Sequence, residues 1–265
     1  LSLAVFAGIA FCDNEARLTA DSMNYDPATG RITAFGNVRF MRPDGEIFGD
    51  RGAGNANGRD FEVHGNVRGN FTREAAEIVC ESLFLSSAGE SPLRRKITAS
   101  GDVILTRDGD RMSAQTITWE MDRDNYKATG EVIGTFAQYS IDSDLIARNE
   151  DKIWAHNIRR YEDRDRGLFL SAGKASGIIR ESEVVELIAD GEVIMSMPDN
   201  MGVVSRATGD KCVFSLDRGT IVISGNAAVK QGERRLNASS IVYHLDSGRI
   251  DALGQPTLVF ETPRN

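Results

Sequence analysis

Apolar and polar residues alternate through short stretches that recur along the chain, and most of these stretches carry a glycine at the centre. They read ITAFGNVRF at 32–40, FEVHGNVRG at 61–69, ITASGDVIL at 97–105 and YKATGEVIG at 126–134, then LIADGEVIM at 187–195, IVISGNAAV at 221–229 and IDALGQPTL at 250–258. A period of two is that of a half-buried β-strand, not of a helix. The glycines Gly36, Gly65, Gly101, Gly130, Gly191, Gly225 and Gly254 follow one another at intervals of 29, 36, 29, 61, 34 and 29. The long interval holds IWAHNIRRY at 153–161, the same pattern with its glycine lost, so the sequence contains eight degenerate units.

The alternation assigns an inner face. Ile32, Ala34, Val38 and Phe40 share it in the first stretch, Val63 and Val67 in the second, and Ile97, Ala99, Val103 and Leu105 in the third. Ala128 and Val132 follow, then Leu187, Ala189, Val193 and Met195, then Ile221, Ile223 and Val229, and finally Ile250 and Ala252. Glycine in a strand interior weakens it unless it has a use. Small residues at one level either let two sheets approach closely or let each strand bend or bulge.

A second half-unit precedes these strands. Ala20, Tyr25, Gly30, Ile32, Ala34 and Gly36 have the same mutual spacing as Ala238, Tyr243, Gly248, Ile250, Ala252 and Gly254. DPATGR at 26–31, LDRGT at 216–220 and HLDSGR at 244–249 lie between the halves and are rich in residues that accept tight turns. The unit is therefore strand, hairpin turn, strand, with RPDGE at 42–46 and RDGDR at 107–111 as further turns. Arg73 to Leu85 is the best helical candidate, but it runs into turn residues at Ser87-Ala88-Gly89. The charged run RRYEDRDR at 159–166 breaks the pattern most clearly, as a solvated turn or as a hinge between halves.

Composition narrows the choices. With 31 Lys plus Arg against 39 Asp plus Glu, the net charge of −8 and the lack of a basic block argue against nucleic acid, whose phosphates need a cationic stripe. Residues 1–12, LSLAVFAGIAFC, are uncharged and end at Asp13-Asn14-Glu15, which reads as the remnant of a signal peptide or of a membrane anchor and points to export. Twelve residues are too few to span about 30 Å of hydrocarbon. Cys80 and Cys212 remain in the body of the chain, and the sequence leaves open whether they pair.

The segment ADSMNYDPATGRITAFGNV at 20–38 resembles the OstA-like domain of the lipopolysaccharide-transport periplasmic proteins, and the resemblance runs from about Leu18 to Phe260. It implies an all-β fold, an elongated antiparallel β-jellyroll over 18–265 with a V-shaped apolar trough. The jellyroll is either single or two coaxial halves, 18–158 and 167–265. It also implies a periplasmic, non-enzymatic carrier that shields the acyl chains of lipid A between the membranes. The inner-face residues named above line the path. The resemblance also implies edge-strand pairing with other export proteins and head-to-tail self-association. An inner-membrane-anchored member of the same pathway is the alternative within the family. Arg94-Arg95-Lys96 and Arg159-Arg160 are the basic candidates for the rim of the trough.

Enzyme signatures are missing from the sequence, and no cofactor or metal is expected. His64, His156 and His244 form no metal spacing. Residues 167–175, GLFLSAGKA, fail as a phosphate loop, because five residues separate the glycines and Ala175 stands where Ser or Thr belongs. Gly52 and Gly54 fail the dinucleotide fingerprint, and a glycine-rich turn suffices for them. Asp108 and Asp110 belong to a hairpin turn around Gly109 and lack a calcium loop. The main rival is a secreted right-handed β-helix that binds or degrades polysaccharide, which needs shorter, more uniform rungs.

Overall fold

The computed structural model describes residues 16–56, 60–87, 95–123, 125–181, 183–198 and 202–260. The signal or anchor remnant at 1–12 lies outside the described residues. The chain divides into two compact units, Leu1–Asp108 and Gly109–Asn265. The charged run at 159–166 therefore falls inside the second unit.

The first unit contains β1 (Arg17–Thr19), β2 (Ser22–Asp26), β3 (Arg31–Arg42), β4 (Gly45–Asn55), β5 (Asp60–Phe71), β6 (Ala76–Ser87) and β7 (Arg95–Arg107). From β2 onward each strand pairs antiparallel with the next, and β1 returns to pair with the far end of β3. The second unit contains β8 (Asp110–Glu120), a single 3-10 turn (Met121–Arg123), β9 (Asn125–Thr135), β10 (Tyr139–Asn149), β11 (Lys152–Asp163) and β12 (Leu168–Arg180). It continues with β13 (Glu183–Pro198), β14 (Val204–Ser215), β15 (Thr220–Gln231), β16 (Arg234–His244), β17 (Ile250–Leu253) and β18 (Thr257–Val259). These strands again pair with their sequence neighbours, and β17 and β18 share β16. The class is all-β and antiparallel, a β-jellyroll. A right-handed β-helix needs parallel rungs, and every pairing named here is antiparallel.

The mid-strand glycines are corners. Between β3 and β4 the register runs from Phe35 opposite Arg51 to Val38 opposite Gly49, so β3 carries one residue more than its partner. A bulge of this kind bends the strand that holds the extra residue. Gly36 and Asn37 both take left-handed backbone, at φ 74° and 46°. Only glycine fits the first position, because a Cβ there would lie 2.3 Å from Asp21 Oδ2. The same glycine-plus-polar pair with positive φ recurs on β5, β7, β9, β13 and β15, and after β17 at Gly254-Gln255. Of the two uses open for these glycines, bending is therefore the one realised. On β11 the glycine is replaced by His156, yet Asn157 keeps φ 50° and the register still shifts beside it.

Each corner divides its strand into two limbs. Within each unit one limb of every long strand runs to a first rim, which carries the turns that follow even-numbered strands. The other runs to a second rim, which carries the turns that follow odd-numbered strands. Inner residues align in rows along the limbs. In the first unit one row is Ala34, Gly52, Val63, Leu83 and Ala99, all of them buried. In the second a row runs through Ile117, Ala128, Ile146, Ala155, Ala175, Ala189, Cys212, Ile223 and Ile241 to Ala252.

Three local expectations change. Gly52 and Gly54 lie within β4, not in a turn, and they receive the Phe61 ring, since a Cβ on Gly54 would meet Phe61 Cδ2 at 2.4 Å. Residues 76–85 of the helical candidate are strand β6. Arg159 to Asp163 belong to β11, and the turn occupies only 164–167.

Candidate functional site

The candidate site is the apolar interior of each unit. Of the inner-face residues named from the sequence, the first unit buries Ala34, Val38, Phe40, Val63, Val67, Ile97, Ala99 and Val103, and the second buries Ala128, Val132, Ala189, Val193, Met195, Ile221, Ile223 and Val229. Ile32, Leu105, Leu187, Ile250 and Ala252 are only half-buried. Three of these five stand next to a terminal edge. Ile32 pairs with exposed Tyr25 on β2, while Ile250 and Ala252 are on β17 itself. The apolar rows thus run from sealed positions out to solvent at the edges.

The interior also contains side chains that the glycine pattern did not mark. Ile47, Leu83, Leu85, Ile117, Trp119, Cys212 and Ile241 are buried on even-numbered strands, which have no central glycine pair to flag them. For all but Trp119, which lies opposite Tyr126, the signal was register, because each lies opposite a marked residue: Leu83 opposite Val63, Cys212 opposite Ala189. Aromatic rings fill part of the space, and Phe40 and Phe61 stack at 4.3 Å between centroids, one from each limb. Burial pushes the Cys80 and Cys212 thiols up to about 12, and both are free.

Three of the basic rim candidates, Arg95, Arg159 and Arg160, are paired with acids. Arg159 binds Asp142 at 2.6 Å and also Asp144 and the Ser143 carbonyl. Hydrogen bonds to Asp142 and Asp144 raise its pKa further. Arg160 binds Glu162 at 3.1 Å and lies over the Phe169 ring. Arg95, at the first rim, is buried and binds Asp44 and Glu74 in turns of the second rim. Arg94 is outside the described residues. A second bridge joins the rims of the second unit, where Arg166 in the turn between β11 and β12 reaches Glu183 at the start of β13, at 2.6 Å. Burial opposes the charge of Arg166, but hydrogen bonds to Asp163 and Glu183 outweigh it and raise the pKa.

No group of three or more His, Cys, Asp or Glu side chains among the described residues is arranged to hold a metal. No helix among them is long and apolar enough to cross a membrane.

The family model described as "LptA/(LptD N-terminal domain) LPS transport protein" matches residues 90–249, more than half of the chain. The chain belongs to this family. The match begins in the first unit and covers most of the second, including the region around His156 where the glycine repeat lapses. No curated protein matches the sequence. Among solved structures, LptH from Pseudomonas aeruginosa, titled the LptA homologous periplasmic component of the lipopolysaccharide transport device, aligns with a TM-score of 0.36 and 12% identity. That alignment covers 58% of this chain and 95% of LptH.

Proposed function

We propose that this chain is a non-enzymatic periplasmic carrier that shields the acyl chains of lipopolysaccharide in transit between the inner and outer membranes. Membership of the transport family supports the class of cargo. The observation that carries the reading is the course of the inner rows within each unit, which stay apolar from sealed positions out to Ile32 at an edge of the first and to Ile250 and Ala252 at an edge of the second. An acyl chain lying along such a row stays out of water at about 0.8 kcal/mol per methylene, which is a sufficient driving force without a single anchoring contact. The acidic surface, net −8, favours keeping the phosphate-bearing sugar outside.

Edge pairing fits the termini. Within its unit the β1–β2 arm is hydrogen-bonded to β3, and the β17–β18 arm to β16, each at the end of its series of strands. Leu253, Leu258, Val259 and Phe260 are more than half exposed at the second of these edges. A strand from a neighbouring export protein, or from a second copy, would cover them.

The test is photocrosslinking from a probe at Ile32 or Ile250 in purified protein offered lipopolysaccharide, with outward Ile104 as control. Val103, fully sealed, serves as the internal comparison. The expected result is lipid adducts at Ile32 and Ile250 and none at Ile104. Equal labelling at all sites, or none in folded protein, overturns the reading.

A further inference from the structure

The strands that form each unit hold 11 to 16 residues apart from the short terminal ones. At about 3.3 Å per residue, the two ends of such a strand are roughly 35 Å or more apart if it is straight. A side chain on the first rim therefore touches one on the second only because the corners fold the limbs over each other. Two arginines do so, Arg95 with Asp44 and Glu74 in the first unit and Arg166 with Glu183 in the second. Separating the limbs of either unit breaks its pair.

The two bridges differ in how costly that is. In the first unit the Arg95 and Glu74 side chains are only 5% and 8% exposed, and the Phe40–Phe61 stack ties the limbs together beneath them. Breaking a pair this deep leaves a buried charge uncompensated. In the second unit Arg166 is 26% exposed and Glu183 40% exposed, so water replaces the lost bond. Arg166 also holds Asp163 at 2.7 Å, on its own rim, through a nearly buried carboxylate. When Glu183 leaves, the charge of Arg166 therefore stays compensated. The pair is built to open on one side only.

We propose that the Arg166–Glu183 pair is a latch across the rims of the second unit that releases to admit an acyl chain laterally, while the Arg95 bridge keeps the first unit shut. This rests on the carrier reading above, so its test needs a readout without lipid. The chain supplies one, because Cys80 in the first unit and Cys212 in the second are buried interior thiols that react with a thiol reagent only when their unit opens. Cys12 is replaced by Ala throughout, and either Cys80 or Cys212 is replaced as well, so that the other is the sole thiol.

Two variants pull in opposite directions. Glu183→Gln removes the cross-rim ion-pair partner, leaves Asp163 and the weaker contact of Arg166 with the Phe214 ring, and is expected to raise the labelling rate of Cys212 by up to about fivefold, the weight of one part-exposed ion pair. Asp163→Asn weakens the resting partner and leaves Glu183, and is expected to slow it. Neither is expected to change labelling of Cys80. The rate change is expected to persist across low urea, since opening the rims exposes far less surface than unfolding does. If both variants speed labelling, or if the effect carries the full urea dependence of unfolding, the pair is merely structural and the latch is wrong. No change in either variant also overturns it. A naphthylamine acyl-site probe is then offered to the same proteins. Faster uptake by Glu183→Gln supports latch and carrier together, whereas a response of Cys212 without any uptake keeps the latch and removes the carrier reading.

Discussion

Asn226 Nδ2 donates to Asp210 Oδ2 at 3.0 Å across the bulge between β14 and β15, and the same pair recurs as Asn66 with Asp50 and as Asn37 with Asp21. Where the glycine is missing, Asn157 still donates to Asp144 at 2.8 Å. Asparagine tolerates left-handed backbone better than other residues with a Cβ, and here its amide also ties the corner to the neighbouring strand. Asn226→Gly is expected to be nearly neutral. Asn226→Val, which cannot take φ 51° easily, is expected to cost about 1–2 kcal/mol in urea unfolding. Equal costs for the two would remove backbone conformation as the reason for the pair.

Crowding at the corner separates from conformation by comparing two glycines of the same unit. Gly225 and Gly219 both have positive φ, 71° and 59°. A Cβ on Gly225 would lie 2.4 Å from Asp210 Oδ2 and 2.8 Å from its Cβ, whereas one on Gly219 meets nothing within 4 Å. Gly219→Ala is expected to cost about 1 kcal/mol from strain alone. Gly225→Ala adds the clash, for a total of about 2–4 kcal/mol. Similar costs would show that the corner yields without resistance.

The acid range reports on the corner that lost its glycine. The Asn157 amide and then Arg159 hold the Asp144 carboxyl below its ordinary value. A depressed folded-state value gives stability that is present above the unfolded pKa and lost as pH falls through the folded one. The urea midpoint of the native chain is therefore expected to exceed that of Asp144→Asn at about pH 7, and the two curves to converge below about pH 4. Since the group is fully exposed, the gap is small. A gap that widens toward acid has the wrong sign and would refute the assignment.

The alternating faces, hairpin turns and corner positions were legible because each depends on residues close in sequence. Ala34 and Val38 flank Gly36 at a period of two, and the Gly30 turn follows Tyr25 directly. Even-numbered strands were harder to read, because Leu83 or Cys212 becomes an interior residue only through pairing with a marked strand. The rim bridges were not legible at all. Arg95 and Asp44 are 51 residues apart, and nothing local in either segment says that the limbs fold over each other. Hence Arg95 reads from the sequence as a basic rim candidate, whereas it is a buried bridge.

Parity along β6 is checked at adjacent residues. Leu83 is fully buried, while Phe84 is 40% exposed on the other face. Leu83→Ala is expected to cost about 2–5 kcal/mol, the range for a sealed leucine. Phe84→Ala is expected to stay within about 1 kcal/mol, because the ring is already 40% exposed and lies outside the sealed interior. The larger loss at Phe84 would reverse the faces.

The thin strand β4 makes a sharper claim about packing. Gly54 has ordinary extended backbone, so any cost of a side chain there comes from contact, and the contacts are Phe61 Cδ2 at 2.4 Å and the Asp60 carbonyl at 2.7 Å. Phe61 is 3% exposed and stacks on Phe40. Gly54→Ala alone overpacks the site and is expected to cost about 1–3 kcal/mol. Phe61→Leu alone leaves a void beside two glycines and is expected to cost about 1–3 kcal/mol as well. Together the added methyl occupies part of the space that the ring gave up, so the double variant is expected to be more stable than the sum of the single losses predicts, by about 0.5–2 kcal/mol. Strict additivity would mean that the ring does not rest on Gly54, and that the glycines at 52 and 54 of β4 serve something other than a seat for Phe61.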